Sequence, residues 1–187
     1  MKNLYLLGGG GHCKSCIDVI ESQGEYKICG IFDNHEKIGQ QVLGYKIIDT
    51  DENIYNYVLP ENHFLITVGQ IKSPDLRIKL FNLNLNFATI ISKRAYVSSY
   101  AKVGRGTIVM HDSLINAGAI VGDNCIINSK ALIEHDAIVG DHCHISTGAI
   151  INGDCKVGDK TFIGSNTVVK NGRLIPPNSI LSYGEKA

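Results

Sequence analysis

The chain has 187 residues and a mass of 20.4 kDa, and its 18 acidic side chains balance its 18 basic ones. A net charge of zero excludes the basic surplus that a nucleic-acid or anionic-membrane partner requires. With 44% hydrophobic and 19% charged residues the chain is not intrinsically disordered, and its length fits one ordinary domain or two small ones.

The first half alternates predicted strands and helices. We expect strands over residues 3–7, 28–32 and 64–68, and helices over 13–23 and from 73 to about 82; residues 87–91 lead into the second half. This alternation predicts a small parallel α/β domain. Because no apolar run approaches the ~20 residues of a membrane span and the N-terminus turns to glycine too early for a signal peptide, we expect a cytoplasmic protein.

A glycine-rich turn follows the first predicted strand. It places Gly8, Gly10 and Gly11 at the start of a helix, where backbone amides bind phosphate. The third glycine of the dinucleotide motif is missing, and fewer than a hundred residues precede the second half, so a single nucleotide fits better than a dinucleotide. Asp33, at the end of the second predicted strand, can accept hydrogen bonds from a sugar or a base. The alternative is a tight turn without a ligand.

The six cysteines are expected to be free thiols in a reducing compartment. Cys13 and Cys16 form a single CxxC pair, which indicates two packed helix residues rather than a zinc or redox site. Cys125 and Cys143 lie 18 residues apart in the second half and are expected to stack as buried thiols.

The second half carries a six-residue repeat. Every sixth residue is aliphatic in the series Val97, Val103, Val109, Ile115, Val121, Ile127, Ile133, Val139, Ile145, Ile151, Val157, Ile163, Val169, Ile175 and Leu181. After each of these up to Ile175, the residue four positions on is small, except Arg173. This period is typical of a parallel β-helix, and the Gly or Asn that often follows the aliphatic residue is expected to adopt the left-handed conformation at its corners.

These features together resemble a known family. The repeat over about residues 97–181 is similar to the hexapeptide signature of left-handed β-helix acyltransferases. Gly8-x-x-Gly11-His12 and Asp33-Asn34, ahead of such a repeat, resemble the sugar acetyltransferases of the PglD and NeuD type. The resemblance implies a Rossmann-like nucleotide-sugar-binding domain over residues 1–92 and a left-handed β-helix acetyltransferase domain over 93–187, with three hexads, or 18 residues, in each coil.

The resemblance also implies an activity. It is the acetyl-CoA-dependent N-acetylation of the 4-amino group of a nucleotide-linked 4-amino-4,6-dideoxy sugar, with UDP as the nucleotide in the best-understood branch. Direct transfer, no metal and a homotrimer are implied as well.

The segment Glu134-His135-Asp136 holds the candidate catalytic group. His135 lies outside the inward-facing positions, and a neighbouring carboxylate raises the basicity of an imidazole, so His135 is a candidate general base. The resemblance makes His135 the catalytic histidine, with Asp136 orienting it and Glu134 as an auxiliary. Gly153 lies one coil onward, where its amide is expected to stabilise an oxyanion.

Four further site residues come from the resemblance. His144 and Ser165 are expected to bind the cofactor, and Asn128 and Gly69 the nucleotide-sugar substrate. A solvent-exposed strand residue is the other interpretation of His144.

Some features depart from the family or leave other functions open. The chain ends soon after Leu181, and Arg173 and Pro176-Pro177 predict an irregular last coil. One alternative function is O-acetylation of a sialic-type sugar. The others are a zinc enzyme like the γ-carbonic anhydrases, with His111, His135 and His142 as ligands, and a non-catalytic nucleotide-sugar binder.

Overall fold

The structure, a computed structural model, describes residues 1–70 and 73–187. The N-terminal elements are β1 (Lys2–Leu7), α1 (Gly11–Gln23), β2 (Tyr26–Phe32), β3 (Gln41–Val42), β4 (Tyr45–Asp49), β5 (Asn62–Ile66) and α2 (Asp75–Phe81). Two 3-10 helices, His35–Lys37 and Asp51–Tyr57, flank the β3–β4 pair in the sequence. Neither α-helix in these ranges has the length and apolar character needed to cross a bilayer.

The N-terminal elements form one five-stranded sheet in the order β3-β4-β2-β1-β5. All its pairs are parallel except β3–β4. The central strands are apolar because both faces of the sheet are covered. The predicted α/β domain is confirmed, and β3 and β4 are additional strands that the sequence did not indicate.

The rest of the described chain is a stack of two-residue strands. They are β6 (Ile90–Ile91), β7 (Tyr96–Val97), β8 (Lys102–Val103), β9 (Ile108–Val109), β10 (Leu114–Ile115), β11 (Ile120–Val121), β12 (Ile126–Ile127), β13 (Leu132–Ile133), β14 (Ile138–Val139), β15 (His144–Ile145), β16 (Ile150–Ile151), β17 (Lys156–Val157), β18 (Phe162–Ile163), β19 (Val168–Val169), β20 (Leu174–Ile175) and β21 (Ile180–Leu181).

These strands form the three faces of a parallel β-helix. We call them the first sheet (β6, β9, β12, β15, β18, β21), the second sheet (β7, β10, β13, β16, β19) and the third sheet (β8, β11, β14, β17, β20). Leu114 pairs with Leu132, so each coil has 18 residues. The aliphatic residue of each hexad points inward into one continuous core. The predicted fold class, a Rossmann-like domain followed by a hexapeptide β-helix, is confirmed.

The corners differ from the prediction in one respect. From Val103 onward the left-handed residue is the third after each inward aliphatic, as at Asp112, Asn124 and Asp136, and not the first. The Gly or Asn that comes first has an ordinary backbone, so that part of the prediction was wrong. Packing still requires glycine at some of these positions, because a Cβ on Gly122 would lie 2.3 Å from Oδ1 of Asp141, on the next coil.

The last coil is regular, contrary to the prediction. β20 and β21 pair in register with β17 and β18, and the amide of Lys170 donates to the carbonyl oxygen of Ala187. The two prolines lie at a corner, where the strand ladder does not need their nitrogen atoms.

The cysteines are free thiols, as expected. Cys13 and Cys16 are buried in α1, and the amide of Cys143 lies 3.4 Å from Sγ of Cys125 on the preceding coil.

The N-terminal domain packs on the outer surface of the first sheet. Cys16 and Ile17 of α1 share an apolar cluster with Ile108 and Ile126 of β9 and β12. This packing brings the carboxyl edge of the N-terminal sheet close to the β-helix.

Candidate active site

A cavity of about 590 Å³, called here the turn cavity, lies at the carboxyl ends of β1, β2 and β5. It is lined by Gly8, Gly10, Gly11, His12, Asp33, Asn34, Lys37, Thr67, Val68, Gly69 and Leu76. A Cβ on Gly10 or Gly11 would meet nothing within 4 Å, whereas a Cβ on Gly8, whose φ is 108°, would lie 2.5 Å from Val68 Cγ2. Packing therefore requires Gly8, while Gly10 and Gly11 leave open space at the first turn of α1, where anions bind.

The Asp33 carboxylate is already engaged in this turn. It accepts hydrogen bonds from the amides of Gly9 and Asn34, each at 2.7 Å, and forms an ion pair at 2.9 Å with Lys37 Nζ. Burial acts to raise the pKa of Asp33, but these hydrogen bonds hold that pKa below its usual value. Asp33 thus organises the turn, and Lys37, which the sequence did not single out, brings a cation to the cavity.

A second cavity of about 310 Å³, called here the His144 cavity, shares His12 and Gly69 with the turn cavity. It is lined by His12, Gly69, Gln70, Asn128, His144, Ser146, Phe162, Ser165 and Tyr183. His12 Nε2 is buried and has no hydrogen-bond partner in the described ranges. Burial, helped by the charge of Arg77, lowers the pKa of His12 to about 3, so a neutral ring with a free nitrogen lies where the two cavities meet.

His144 is buried, with 6% of its surface exposed. The interpretation of a solvent-exposed strand residue was wrong, because the N-terminal domain covers this part of the first sheet. Its Nδ1 donates to the backbone oxygen of Gln70, and Nε2 lies 3.3 Å from Asn128 Nδ2. Burial lowers the pKa of His144 to about 4, so the ring is neutral and Nε2 is an acceptor.

The opposite wall of the His144 cavity is both polar and aromatic. Ser165 Oγ lies 2.9 Å from Ser146 Oγ, and the Phe162 ring meets the His144 ring edge to face at 5.2 Å. Tyr183, two residues after β21, also lines this cavity.

His135 and Asp136 lie at the corner between the second and third sheets. His135 Nδ1 is 3.0 Å from Asp136 Oδ2, and more than half of each side chain is exposed. This hydrogen bond raises the pKa of His135. Glu134 accepts a hydrogen bond at 2.7 Å from Asn116 Nδ2, one coil earlier.

Gly153 lies against the His135 ring, one coil onward as the 18-residue period predicts. A Cβ on Gly153 would be 2.8 Å from both Cε1 and Nε2 of His135. The Gly153 amide makes no hydrogen bond to any described residue, and Gly153 itself is buried against the His135 ring. A base and an amide donor therefore lie side by side at this corner.

One chain does not bring all the predicted site residues together. His135 lines neither cavity, because it follows β13 in the second sheet while His144 lies in the first. His111, His135 and His142 lie at three different corners, and the described residues contain no group of three or more metal-ligating side chains. The zinc alternative thus has no site within one protomer.

Arg77 links the N-terminal domain to the β-helix and was missed in the sequence. It is 1% exposed and donates from Nη1 to the carbonyl oxygens of Ile66 and Val68. Its Nη2 donates at 2.6 Å to Asn124 Oδ1 of the β-helix. A lone arginine in a short helix carries no sequence signal for this role.

Comparisons with known proteins agree with this architecture. The family model of the PglD N-terminal domain matches residues 3–82, and that of the bacterial transferase hexapeptide matches residues 136–171. Uncharacterized protein L142 of Acanthamoeba polyphaga mimivirus is 36% identical over 108 residues, or 57% of this chain. That match spans only 21% of the viral protein's length.

Two of the similar solved structures each match 98% of the chain. The acetyltransferase domain of PglB from Neisseria gonorrhoeae, in complex with acetyl coenzyme A, is 24% identical with a TM-score of 0.89 over 89% of its own length. PerB from Caulobacter crescentus, in complex with CoA and GDP-perosamine, is 26% identical with a TM-score of 0.87 over 87% of its length. The family resemblance seen in the sequence is confirmed.

Proposed function

We propose that this chain, a hexapeptide-repeat protein with a PglD-type N-terminal domain, is an acetyl-CoA-dependent N-acetyltransferase of a nucleotide-linked amino sugar. The acetyltransferase class and the use of acetyl-CoA are supported by the structural relatives. The 4-amino-4,6-dideoxy sugar and the cytoplasmic location remain predictions from the sequence.

One observation carries the proposal: the turn cavity and the His144 cavity adjoin, because His12 and Gly69 line both of them. A nucleotide whose phosphates bind at the first turn of α1 would extend its sugar past His12 into the His144 cavity. Asn128 and the neutral His144 then lie where an acceptor sugar and an acetyl group would meet. Gly10 and Gly11 leave room for the phosphates.

His135 supplies the chemistry in this proposal. Its Nε2 takes the proton from the sugar amine as the new nitrogen–carbon bond forms. The Gly153 amide stabilises the oxyanion, the carbon–sulfur bond breaks, and the proton passes to the leaving thiolate of coenzyme A. Asp136 holds Nδ1 as the protonated nitrogen, which leaves Nε2 free to accept. Ser165 lines the His144 cavity as a further contact for acetyl-CoA.

The site requires a second copy of the chain. His135 lies at the corner opposite the first sheet, so within one protomer it cannot reach a sugar in the His144 cavity. The second sheet has a partly exposed apolar row suited to self-association, made of Tyr96, Leu114, Leu132, Ile150 and Val168. We propose the homotrimer implied by the family, with His135 of one subunit facing the His144 cavity of another.

Release of free coenzyme A thiol tests the activity. The purified protein, acetyl-CoA and a panel of amino-sugar nucleotides should yield thiol and an N-acetylated product identified by mass spectrometry. His135→Ala should lower turnover by about 10²- to 10⁴-fold, the usual contribution of a general base, while nucleotide binding is retained. Unchanged turnover would contradict the mechanism, and transfer to a sialic-type hydroxyl sugar instead would favour the O-acetyltransferase.

Subunit mixing tests the shared site. Co-expressed His135→Ala and His144→Gln chains should form mixed oligomers that regain part of the activity, because some interfaces then contain both histidines. Mixing His135→Ala with Asp136→Ala should restore no activity, because each subunit then lacks either His135 or Asp136 at the catalytic corner. Equal activity in the two mixtures would exclude a site shared between subunits.

A further inference from the structure

A narrow slot opens from the turn cavity between the 3-10 helix Asp51–Tyr57 and α2. The slot and the turn cavity share Gly8, Asp33, Asn34, Val68 and Leu76. The inner surface of the slot is apolar and is made of Leu7, Phe32, Val68 and Leu80. The slot has a volume of about 70 Å³ and adjoins the turn cavity, so it would take the edge of a flat ring attached to a nucleotide there.

The position of Leu76 indicates that the slot binds the apolar face of a ligand. Leu76 lies in the first turn of α2, lines both the slot and the turn cavity, and is 50% exposed. A large aliphatic side chain beside a concave site gains most when a ligand covers it.

Asp51 is the available carboxylate at this slot. Asp33 also lines it, but its oxygens already accept from two amides and from Lys37. Asp51 is half-buried, and its side chain makes no hydrogen bond or ion pair within the described ranges. A ligand in the slot therefore meets one free, acceptor-only group.

We propose that the slot binds guanine and that Asp51 selects it. Guanine presents two adjacent donors, N1–H and the N2 amino group, which a carboxylate can accept together, and Asn34 is the donor available for O6. Uracil presents one N–H between two carbonyl oxygens, which a carboxylate would repel. Adenine and cytosine place a ring acceptor beside their amino group. The guanine nucleotide replaces the UDP expected from the sequence.

This proposal rests on the proposed function only in assuming a nucleotide in the turn cavity, so binding alone tests it. Calorimetric titration without acetyl-CoA should give GDP about 10- to 100-fold tighter binding than UDP or inosine diphosphate, which lacks the N2 amino group. In Asp51→Asn the GDP preference over inosine diphosphate should disappear. Glu52→Gln, in the same 3-10 helix but outside the slot, should bind GDP as the parent does.

The outcomes separate the two proposals. UDP binding tighter than GDP, or an unchanged GDP preference in Asp51→Asn, would overturn the guanine assignment and leave the acetyltransferase standing. Failure of every nucleoside diphosphate to bind would overturn both proposals. GDP selectivity without any acetyl transfer would overturn only the proposed function. Retained UDP binding by Asp51→Asn would show that the variant is folded.

Discussion

The His135 ring lies directly on the backbone of Gly153. A Cβ on Gly153 would stand 2.8 Å from His135 Nε2, the nitrogen that must accept the amine proton. The absence of a side chain at one position therefore fixes the location of the candidate base on the coil before it.

Gly153→Ala should displace the His135 ring without unfolding the β-helix. We expect kcat to fall by roughly 10- to 100-fold, because small displacements of a catalytic group are costly. Steady-state kinetics would check this result. In a chain that also carries His135→Ala, the new methyl group at position 153 meets no imidazole ring. Gly153→Ala should therefore lower the melting temperature less in that chain than in the parent. An equal fall in melting temperature in both chains would show that the new methyl group does not clash with the His135 ring.

Asp136→Asn should shift the pH dependence of the reaction. The hydrogen bond from Asp136 raises the pKa of His135, and a base must be neutral to act, so its loss should move the acidic limb of kcat/KM to lower pH. The plateau should fall roughly tenfold or more as the base weakens. Asparagine tolerates the left-handed backbone at this corner, where φ is 59°. Asp154→Asn is the matched control and should shift the acidic limb of kcat/KM less. Equal shifts in the two variants would contradict the role of Asp136.

Arg77→Met should destabilise the protein strongly. Burial lowers the pKa of Arg77 to about 10, so the guanidinium stays charged at neutral pH and makes charge-assisted hydrogen bonds. Their loss should lower the free energy of unfolding by roughly 3 kcal/mol, measured by urea denaturation. Arg94→Met is the control: its exposed pair with Asp112 should contribute about 1 kcal/mol or less. Comparable losses would contradict the interdomain role of Arg77.

Acid should destabilise the native state through its buried neutral histidines. The pKa of His144 falls from 6.5 to about 4 on folding, so the unfolded state binds more protons in that range. The stability is fully present above pH 6.5 and is lost as the pH falls toward 4. His144→Gln should reduce the slope of unfolding free energy against pH by up to about 1.4 kcal/mol per pH unit. An identical slope in the variant would show that His144 is protonated or exposed in the folded protein.

Much of the β-helix could be predicted from the residues alone, because its contacts repeat along the chain. Ile133 and Ile151 meet one coil apart, and the 18-residue spacing that pairs them is visible as a period in the sequence. The same period places Gly153 against His135. The backbone conformation at the corners was harder to predict. Asp112, Lys130 and His142 all adopt φ near 60°, although Gly and Asn were the residue types expected there.

The His144 cavity depended on contacts that no local pattern encodes. Gln70 and His144 are 74 residues apart and meet only because α1 covers the first sheet. Arg77 reaches Asn124 across 47 residues for the same reason. Lys37 could be assigned to the site only from the structure, in which the turn after β2 brings its Nζ to Asp33.

The amino-acid order by itself determined the six-residue period, the 18-residue coil and the α/β domain ahead of it, because strand alternation and coil stacking depend on local side-chain type. Docking of the two domains decided which histidine is buried and neutral, which carboxylate is free, and where the cavities join. Those properties depend on solvent exclusion and on charges brought close through space, and both arise only when distant segments pack together.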